Sequence, residues 1–294
     1  MPELPEVHAL ASDLDTRLRG RVVDRVQIVA FPALKTYDPP IDALSGARIT
    51  GVARHGKFLD LETESGLHLV LHLARAGWIR WRAGAPKASG RPGSGPLAAR
   101  LVLRGGDGID DGAGFDVTEA GTKKSLAIYV VRDPAEVPGI ARLGPDPLAD
   151  DFTLERFRGI LAAQGRAQLK GVLRDQSVIA GIGNAYSDEI LHAARMSPYA
   201  LAAGLSDEEI DRLYAALQTV LAEAVTTASG KPPAELKDAK RRGMAVHGRR
   251  GEACPVCGTE VHSVFFADNS LEYCPTCQTG GKILADRRLS RLLK

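Results

Sequence analysis

The first seven residues, MPELPEV, contain the groups in this chain that are best suited to covalent chemistry. Removal of Met1 would leave Pro2 with a free secondary amine, followed by the carboxylates of Glu3 and Glu6. An α-amino group has a reference pKa of about 7.7–8.0, so a useful fraction is unprotonated near neutral pH. Such an amine can attack an electrophilic sugar carbon and form a cationic Schiff base while carboxyl groups move protons. The alternative is that Pro2 and Pro5 only begin a helix, whose first turn favours proline and acidic residues.

All four cysteines of the chain lie in two Cys-x2-Cys pairs with sixteen residues between them: Cys254, Cys257, Cys274 and Cys277. This spacing is typical of a tetrahedral zinc site to which each of two loops contributes two thiolates. Disulfides are the alternative, which a cytosolic chain disfavours. Four protein ligands leave no open position for water, so the predicted zinc is structural.

Two further stretches could bind phosphate. In residues 175–189, two glycines in a tight turn between helices expose backbone N–H groups at a helix start, and Asn184 adds a side-chain donor. An ordinary helix hairpin would show the same spacing. Residues 54–58, RHGKF, form a basic turn entering a strand, where Lys57 is either a phosphate contact or an ordinary surface lysine.

The N-terminal half predicts one helix followed by short strands. Residues 4–19 carry leucines on one stripe and are followed by Gly20, which predicts a helix with Glu3 and Glu6 on one face near its start. Eight segments rich in Val, Ile, Leu and aromatic residues follow: 21–30, 46–53, 57–63, 67–73, 77–82, 98–104, 114–118 and 125–131. Glycine-containing turns separate them, which predicts an antiparallel sandwich or flattened barrel. Residues 85–96, rich in Pro, Gly and Ser, predict a mobile loop.

The pattern becomes helical after a Pro- and Gly-containing boundary over 132–148. Helices are predicted over 153–163, 168–174 and 186–195, and a long one begins at a Ser206–Glu209 capping box and ends near Gly230. Residues 231–252 are predicted to be partly loop. The last forty or so residues form a separate small unit built on cysteine.

Composition limits the classes of protein to which the chain can belong. With 294 residues and 44% hydrophobic content it is long enough for two globular domains. It shows neither an apolar run of membrane-spanning length nor a signal-peptide core, so we expect a cytoplasmic protein. The net charge is only +2, but residues 231–253 contain seven Lys or Arg against three acids. This segment is either a surface that attracts polyanions or a solvated face.

These motifs occur in one order along the chain: a Pro-Glu start, a basic strand turn, a glycine-asparagine helix turn and a four-cysteine finger. In this combination the chain resembles the formamidopyrimidine-DNA glycosylase and endonuclease VIII family of base-excision repair enzymes. The match covers nearly the whole chain, with residues 176–191, 246–258 and 273–278 similar to family signatures. The start resembles the formamidopyrimidine branch more than endonuclease VIII.

The resemblance implies an α+β multidomain fold: an N-terminal helix plus an antiparallel β-sandwich, then a helical domain with a helix-two-turn-helix motif and a C-terminal four-cysteine zinc finger. The domains expected are a catalytic domain over 1–135, a linker over 136–148, a helical DNA-binding domain over 149–245, a zinc finger over 246–280 and a basic extension over 281–294. One structural Zn²⁺ ion and a monomeric state are expected.

The family's catalytic roles map onto four residues. Pro2 would attack the anomeric carbon of a damaged nucleotide and expel the base. Glu3 would donate and accept the proton that opens the sugar, and Glu6 would help to position it. Lys57 would contact the phosphate beside the lesion and assist β-elimination. The resemblance thus implies a bifunctional DNA glycosylase and lyase acting on oxidised or ring-opened bases.

DNA binding is implied for a second group of residues. The family's backbone-phosphate contacts map onto Asn184, Gly183 and Lys170, and its finger hairpin would enter the minor groove of double-stranded DNA containing a damaged base or an abasic site. The base must leave the helix to be reached, at a cost of a few kcal/mol that is smaller for damaged or mismatched bases.

The chain departs from the family at three places. A finger arginine assigned to δ-elimination is replaced by Asn269, which can hydrogen-bond a phosphate but lacks the charged bidentate fork. Arg75 stands where the family inserts a methionine into the gap left by the flipped base, and an arginine is no apolar wedge. The third place is residues 119–126, which include Lys123 and Lys124: the family commonly shows there an arginine and a phenylalanine that fill the gap and contact the orphan base, and neither is obvious in this chain.

These departures leave δ-elimination, opposite-base choice and a preference for oxidised guanine unassigned. Lys282 or Arg287 in the C-terminal extension are candidates to replace the missing finger arginine. The departures also keep two alternatives open. One is a damage-recognising DNA-binding protein with weak or no catalysis, and the other is a glycosylase for bulky or crosslinked adducts.

Overall fold

The computed structural model describes residues 1–84, 95–105, 112–266 and 270–285. Asn269, Arg287 and all but the last two residues of the predicted 85–96 loop lie outside these ranges. The chain divides into two compact units: an N-terminal unit of Met1–Arg142 with Ala228–Lys237, and a C-terminal unit of Leu143–Thr227 with Asp238–Lys294. The division into five segments that the resemblance implies remains a prediction.

The first helix, α1, spans Leu4–Leu18, as its leucine stripe predicts. Leu10, Leu14 and Leu18 are fully buried in the hydrophobic core of the N-terminal unit. The helix is followed by Gly20, whose φ of 81° lies in the left-handed region that favours glycine. The helix is joined to the segment that contains Val52 by Asp15, whose carboxylate accepts a hydrogen bond from the Val52 N–H at 2.8 Å.

Each of the eight segments predicted as strands overlaps one strand of the structure, to within two residues where the strand extends beyond the segment. They are β1 Val22–Ile28, β2 Ile49–His55, β3 Phe58–Thr63, β4 His68–His72, β5 Gly77–Arg82, β6 Leu97–Arg104, β7 Gly114–Glu119 and β8 Ala127–Val131. They form two antiparallel four-stranded sheets, ordered β1-β6-β7-β5 and β2-β3-β4-β8. Leu61 and Leu71 of one sheet and Leu101 and Phe115 of the other share one core with α1, so the predicted β-sandwich is confirmed. A short helix, α2, follows at Pro138–Ala141.

The segment Ala228–Lys237 belongs to the N-terminal unit although it follows the helical region in sequence. The Trp78 indole N–H donates to the Pro233 carbonyl at 3.0 Å, and Lys237 Nζ lies 4.5 Å from the centre of the Trp78 ring. Leu236 is buried in the same core as α1. The composition of this segment does not indicate that Leu236 and the Pro233 carbonyl attach it to the sandwich.

The C-terminal unit is helical and ends in a hairpin and a short helix. Among the described residues, the other α-helices and strands are α3 Leu154–Gln164, α4 Leu169–Arg174, α5 Asn184–Ala193, α6 Asp207–Ala228, α7 Leu236–Gly243, β9 His262–Phe265, β10 Ser270–Tyr273 and α8 Pro275–Thr279. The Arg156 N–H donates to Thr153 Oγ1 at 3.2 Å, and the Glu209 N–H donates to Ser206 Oγ at 3.3 Å, so both predicted N-caps form. Helix α7 lies within the stretch that the sequence predicts to be partly loop.

The core of the C-terminal unit is separate from that of the sandwich. Its fully buried members include Phe157, Leu173, Leu191, Leu213 and Leu217, drawn from α3, α4, α5 and α6. Among the residues whose structure is described, no helix combines the length and apolar character needed to cross a bilayer.

Candidate active site and nucleic-acid interface

The amino-terminal residues Pro2, Glu3 and Glu6 are all buried, and each of the two glutamates is only 2% exposed. Glu3 is the N-cap of α1, and its backbone N–H donates to Glu6 Oε2 at 2.8 Å. The carboxylates therefore lie at the positive end of the helix, which stabilises their negative charge. The two interpretations of this segment, the start of a helix and a site of amine chemistry, are therefore compatible. The turn that begins α1 also holds the two carboxylates that follow Pro2 in sequence.

Lys57 lies in the tight turn between β2 and β3, next to the last strand pair, His55 with Phe58. Gly56 has a φ of 55°, a conformation that a two-residue hairpin turn requires and glycine readily adopts. Lys57 is only 7% exposed, and lysines are almost never buried in this way without a role or a partner. The interpretation of Lys57 as an ordinary surface lysine is therefore wrong.

His72 is a neighbour of Lys57 that the sequence did not single out. It lies opposite Phe58 in the β3–β4 ladder, and the two rings are 4.6 Å apart. Burial lowers the pKa of His72, and the positive charge of Lys57 lowers it further, to about 4. At neutral pH the imidazole is therefore uncharged. Only the strand register, which no local pattern specifies, brings His72 to this place.

We expect Lys57→Met to raise the pKa of His72 while leaving it below 6.5, because burial is the larger cause and remains. In the wild type, the unfolded state takes up a proton below about pH 6.5 and the folded state does so only near pH 4. The stability that His72 contributes is thus present above pH 6.5 and is lost as pH falls toward 4. Histidine NMR titration measures the shift. The exposed Lys35→Met variant is the control, and an unchanged His72 pKa in Lys57→Met would contradict the contact.

Arg75 lies at the tip of the turn between β4 and β5 and is exposed. The Gly77 N–H donates to the Leu73 carbonyl at 2.8 Å, and Ala74 has a φ of 50°. A Cβ at position 77 would lie 2.1 Å from the Leu73 oxygen, so the turn requires glycine there. The turn presents the Arg75 side chain to solvent, where a DNA ligand could reach it.

Lys123 and Lys124 lie in the exposed loop between β7 and β8. The carboxylate of Glu119, which is 3% exposed, accepts hydrogen bonds from the N–H groups of Ser125 at 2.7 Å and Leu126 at 3.0 Å. Lys124 Nζ donates to the Glu119 carbonyl. A buried acid therefore fixes the base of a loop whose tip carries two cations.

In the C-terminal unit, the glycine–asparagine turn before α5 is held by one side chain. Gln176 Nε2 donates to the carbonyls of Arg174 at 2.8 Å and Ile182 at 2.6 Å, and Gln176 Oε1 accepts from the Gly181 N–H at 3.0 Å. Gly181 has a φ of 85°, and Gly183 is the N-cap of α5. The predicted turn at a helix start is thus present.

Asn184 and Lys170 both have partners inside the C-terminal unit. Asn184 Nδ2 donates to the Ser270 carbonyl of β10 at 2.7 Å, and its Oδ1 is buried without a hydrogen-bond partner among the described residues. Lys170 is 6% exposed, and its Nζ donates to the Asp188 carboxylate, to Ser187 Oγ at 3.1 Å and to the Asn184 carbonyl at 3.2 Å. The turn is therefore linked to the hairpin by polar contacts that the sequence did not reveal.

The four cysteines converge as a metal site requires. Their sulfurs all lie within 4.8 Å of one another, with Cys257 and Cys274 at 3.3 Å and Cys254 and Cys277 at 4.0 Å. Tetrahedral zinc with bonds of about 2.3 Å separates its sulfurs by about 3.8 Å, so the donor set fits this ion. All four are free thiols rather than disulfides.

Three family profiles match consecutive parts of the chain. The formamidopyrimidine-DNA glycosylase N-terminal domain matches residues 1–108, and the formamidopyrimidine-DNA glycosylase H2TH domain matches residues 143–232. The zinc finger found in FPG and IleRS matches residues 251–280, which contain all four cysteines. The zinc-finger assignment and the close set of thiols agree on a structural zinc site.

Proteins of the same family are also similar to this chain over nearly its whole length. A formamidopyrimidine-DNA glycosylase of Heliobacterium modesticaldum is 35% identical over 289 residues, covering 95% of this chain and 100% of the relative. The crystal structure of MutM (Fpg) from Thermus thermophilus matches with a TM-score of 0.78 and 33% identity, covering 96% of this chain and 100% of that one. The Lactococcus lactis enzyme bound to DNA containing an AP site matches with a TM-score of 0.78 at 23% identity, over 94% and 99% of the two chains, which supports the fold alone.

Proposed function

Because this chain belongs to the formamidopyrimidine-DNA glycosylase family of base-excision repair, we propose that it is a bifunctional glycosylase and AP lyase. Its substrate would be double-stranded DNA containing an oxidised or ring-opened base, or an abasic site. The observation that carries the proposal is the buried start of α1, where Glu3 directly follows Pro2 in sequence and its backbone N–H donates to the Glu6 carboxylate at 2.8 Å. Full-length relatives that are 35% identical to this chain and are named formamidopyrimidine-DNA glycosylases support the class of substrate.

The proposed reaction begins at Pro2 after Met1 has been removed. The lone pair of the Pro2 nitrogen forms a bond to C1′, and the N-glycosidic bond breaks, so that its electron pair leaves with the base, which takes up a proton. The Glu3 carboxylate accepts the proton that the Pro2 nitrogen loses and donates it to the sugar ring oxygen, the ring opens, and the nitrogen becomes a cationic iminium. Loss of a proton from C2′ then expels the 3′-phosphate by β-elimination. Hydrolysis of the iminium releases Pro2.

Phosphate contacts would position the DNA for this chemistry. Lys57 is proposed to contact the phosphate beside the lesion, and the N–H groups at the start of α5, from Gly183 onward, to bind a second phosphate. Since its Nζ already donates to Asp188, we expect Lys170 to stabilise this turn rather than to contact phosphate. Asn184 would contribute chiefly through its own bond to Ser270.

The remaining candidates would contact DNA more peripherally. Arg75, Lys123 and Lys124 are exposed at loop tips and would approach the gap left by the flipped base. Asn269 of the finger would hydrogen-bond a phosphate, and its neutrality leaves β-elimination as the expected end point. One Zn²⁺ ion per chain and a monomeric, cytoplasmic enzyme complete the proposal.

An alternative keeps the fold and DNA binding but lacks efficient catalysis. The observation that favours it is Arg75, which occupies an exposed turn where the resemblance implies an apolar wedge. A damage-recognising protein, or a glycosylase with room for bulky or crosslinked adducts, would tolerate such a residue.

Borohydride trapping on a panel of single-lesion duplexes tests the proposal. We expect a covalent protein–DNA adduct with abasic DNA and with at least one oxidised or ring-opened purine, because borohydride reduces the iminium. Without borohydride, gel analysis should show the ends left by β-elimination. Tight binding without an adduct on any duplex would favour the DNA-binding alternative, and an adduct found only with bulky or crosslinked lesions would favour the adduct glycosylase.

A further inference from the structure

A closed ring of polar contacts joins three parts of the C-terminal unit: helix α4, the start of α5, and the finger with the segment before it. We call it the polar ring, and its members are Lys170, Asn184, Asp188, His247, Ser270 and Glu272. None of its side-chain contacts is needed for the proposed chemistry at Pro2. It is therefore a feature that the proposed reaction does not explain.

One side of the ring connects the phosphate-binding turn with the hairpin. Asn184 Nδ2 donates to the Ser270 carbonyl at 2.7 Å, and Ser270 Oγ donates to Glu272 Oε1 at 3.2 Å. On the other side, Lys170 Nζ donates both to the Asn184 carbonyl at 3.2 Å and to the Asp188 carboxylate. Only a link between Asp188 and Glu272 is needed to close the ring.

His247 supplies that link. Its Nδ1 lies 2.8 Å from Asp188 Oδ2 and 2.9 Å from Glu272 Oε2. Both carboxylates are buried, with Asp188 1% and Glu272 8% exposed. Because two acceptors face Nδ1, that nitrogen carries a hydrogen in either charge state of the ring. The proton that His247 gains or loses is therefore the one on Nε2.

The charges around His247 favour the imidazolium. Asp188 and Glu189 face it from α5, Glu272 faces it from β10, and the Lys170 ammonium reaches Asp188 from α4. Glu189 accepts hydrogen bonds from the backbone N–H groups of residues 245–247 at 2.7–3.0 Å. Burial alone would lower the pKa of His247, but its hydrogen bonds to Asp188 and Glu272 outweigh burial and raise it to about 9.

We propose that His247 is a positioning residue for DNA binding: as an imidazolium it holds strand β10 against the start of α5, so that the turn and the hairpin meet DNA as one surface. This inference rests on the proposed function for its DNA-binding consequence, but its structural part does not. The pKa of His247 is raised above 6.5 in the folded protein. The stability that its imidazolium contributes to the folded state is therefore complete below pH 6.5 and is lost as pH rises through about 9.

Asp188, His247 and Glu272 are also a donor set that a metal ion could use. The contacts favour a proton instead, because Asp188 already accepts from the Lys170 ammonium and Glu272 Oε2 accepts from the Gly248 N–H at 2.9 Å. A metal ion bound to Asp188 would be repelled by the nearby positive charge of Lys170. Metal binding at the ring is therefore the competing outcome that the experiment must exclude.

The first test uses the free zinc-loaded protein. Histidine ¹⁵N NMR between pH 5 and 10 should show one imidazole that keeps its Nδ1 hydrogen and titrates at Nε2 near pH 9. Glu272→Gln should move this titration toward 6.5, because one of the two facing charges is removed. His262→Gln, on the neighbouring strand of the hairpin, is the matched control and should leave it unchanged. Titration of His247 at or below 6.5 in the wild type, or uptake of a second zinc equivalent that His247→Gln abolishes, would overturn the proposal.

The second test measures equilibrium affinity for a duplex with an uncleavable abasic-site analogue from pH 6.5 to 9.5. Wild-type affinity should fall roughly tenfold more than that of His247→Gln over this range, a size typical of coupling between linked sites. His262→Gln should follow the wild type. Parallel pH profiles for wild type and His247→Gln would overturn the positioning role. Absence of damage-specific binding in every variant, with the NMR result intact, would instead contradict the proposed function.

Discussion

The Pro2→Gly variant should lose the borohydride-trapped adduct and at least about a thousandfold of its excision rate, because a primary amine replaces the secondary-amine nucleophile. Proline is a secondary amine, so its adduct with C1′ is a permanently cationic iminium, whereas a glycine amine gives an imine that must be protonated to carry charge. Glycine also lacks the ring that is buried at the start of α1. Single-turnover excision and trapping on abasic DNA measure the two losses.

A matched control keeps the proline and only makes the lone pair of its nitrogen non-nucleophilic, by delocalising it into an amide. A protein carrying one additional residue ahead of Pro2 retains every buried side chain, but its Pro2 nitrogen is an amide and cannot attack. We expect this protein to bind lesion-bearing DNA with near wild-type affinity and to form no adduct. A wild-type yield of adduct from it would identify another nucleophile, and Lys57→Met would then be the variant to examine.

The Cys274→Ser variant should lose bound zinc and at least about tenfold of its DNA affinity, because structural zinc contributes directly to folding of the domain it ligates. Cys274 is fully buried, and its Sγ lies 3.3 Å from Cys257 Sγ and accepts from the Cys277 N–H at 3.5 Å. A hydroxyl neither ionises near neutral pH nor reaches a zinc–sulfur bond length. Metal analysis and equilibrium binding measure both effects.

The matched control for this variant is Val256→Ser, which introduces the same side chain between two ligands at a position that is 59% exposed. It should retain its zinc and its affinity. Unchanged metal content in Cys274→Ser would contradict the four-cysteine site. If the variant loses its zinc but binds DNA with wild-type affinity, the zinc stabilises the finger locally and is not needed for DNA binding.

Local patterns in the sequence were enough to predict most of the fold. The leucine stripe of α1, the eight apolar segments, the caps at Thr153 and Ser206 and the paired cysteines are each determined by residues within a few positions of one another. Side-chain period and cap chemistry act over that same short range, so the corresponding elements were predicted correctly.

Contacts between distant parts of the chain were missed for a physical reason. His72 meets Lys57 only through the register of β3 with β4, and His247 meets Asp188 and Glu272 across separations of 59 and 25 residues. From the sequence alone, a charged residue is expected to be exposed to solvent unless a buried partner is known. No periodicity in the sequence identifies such a partner. The polar ring and the burial of Lys57 therefore required the structure.

The attachment of Ala228–Lys237 to the sandwich has a consequence for the order in which the protein matures. The Trp78 indole has no carbonyl to bond, and the core lacks Leu236, until the ribosome has passed residue 237. The reactive end of the chain is synthesised first, but the unit that contains it is completed only after most of the helical unit has emerged. A nascent or truncated chain ending before this segment would lack Leu236 and expose part of the sandwich core, so the unit that contains Pro2 can be completed only after residue 237 has been synthesised.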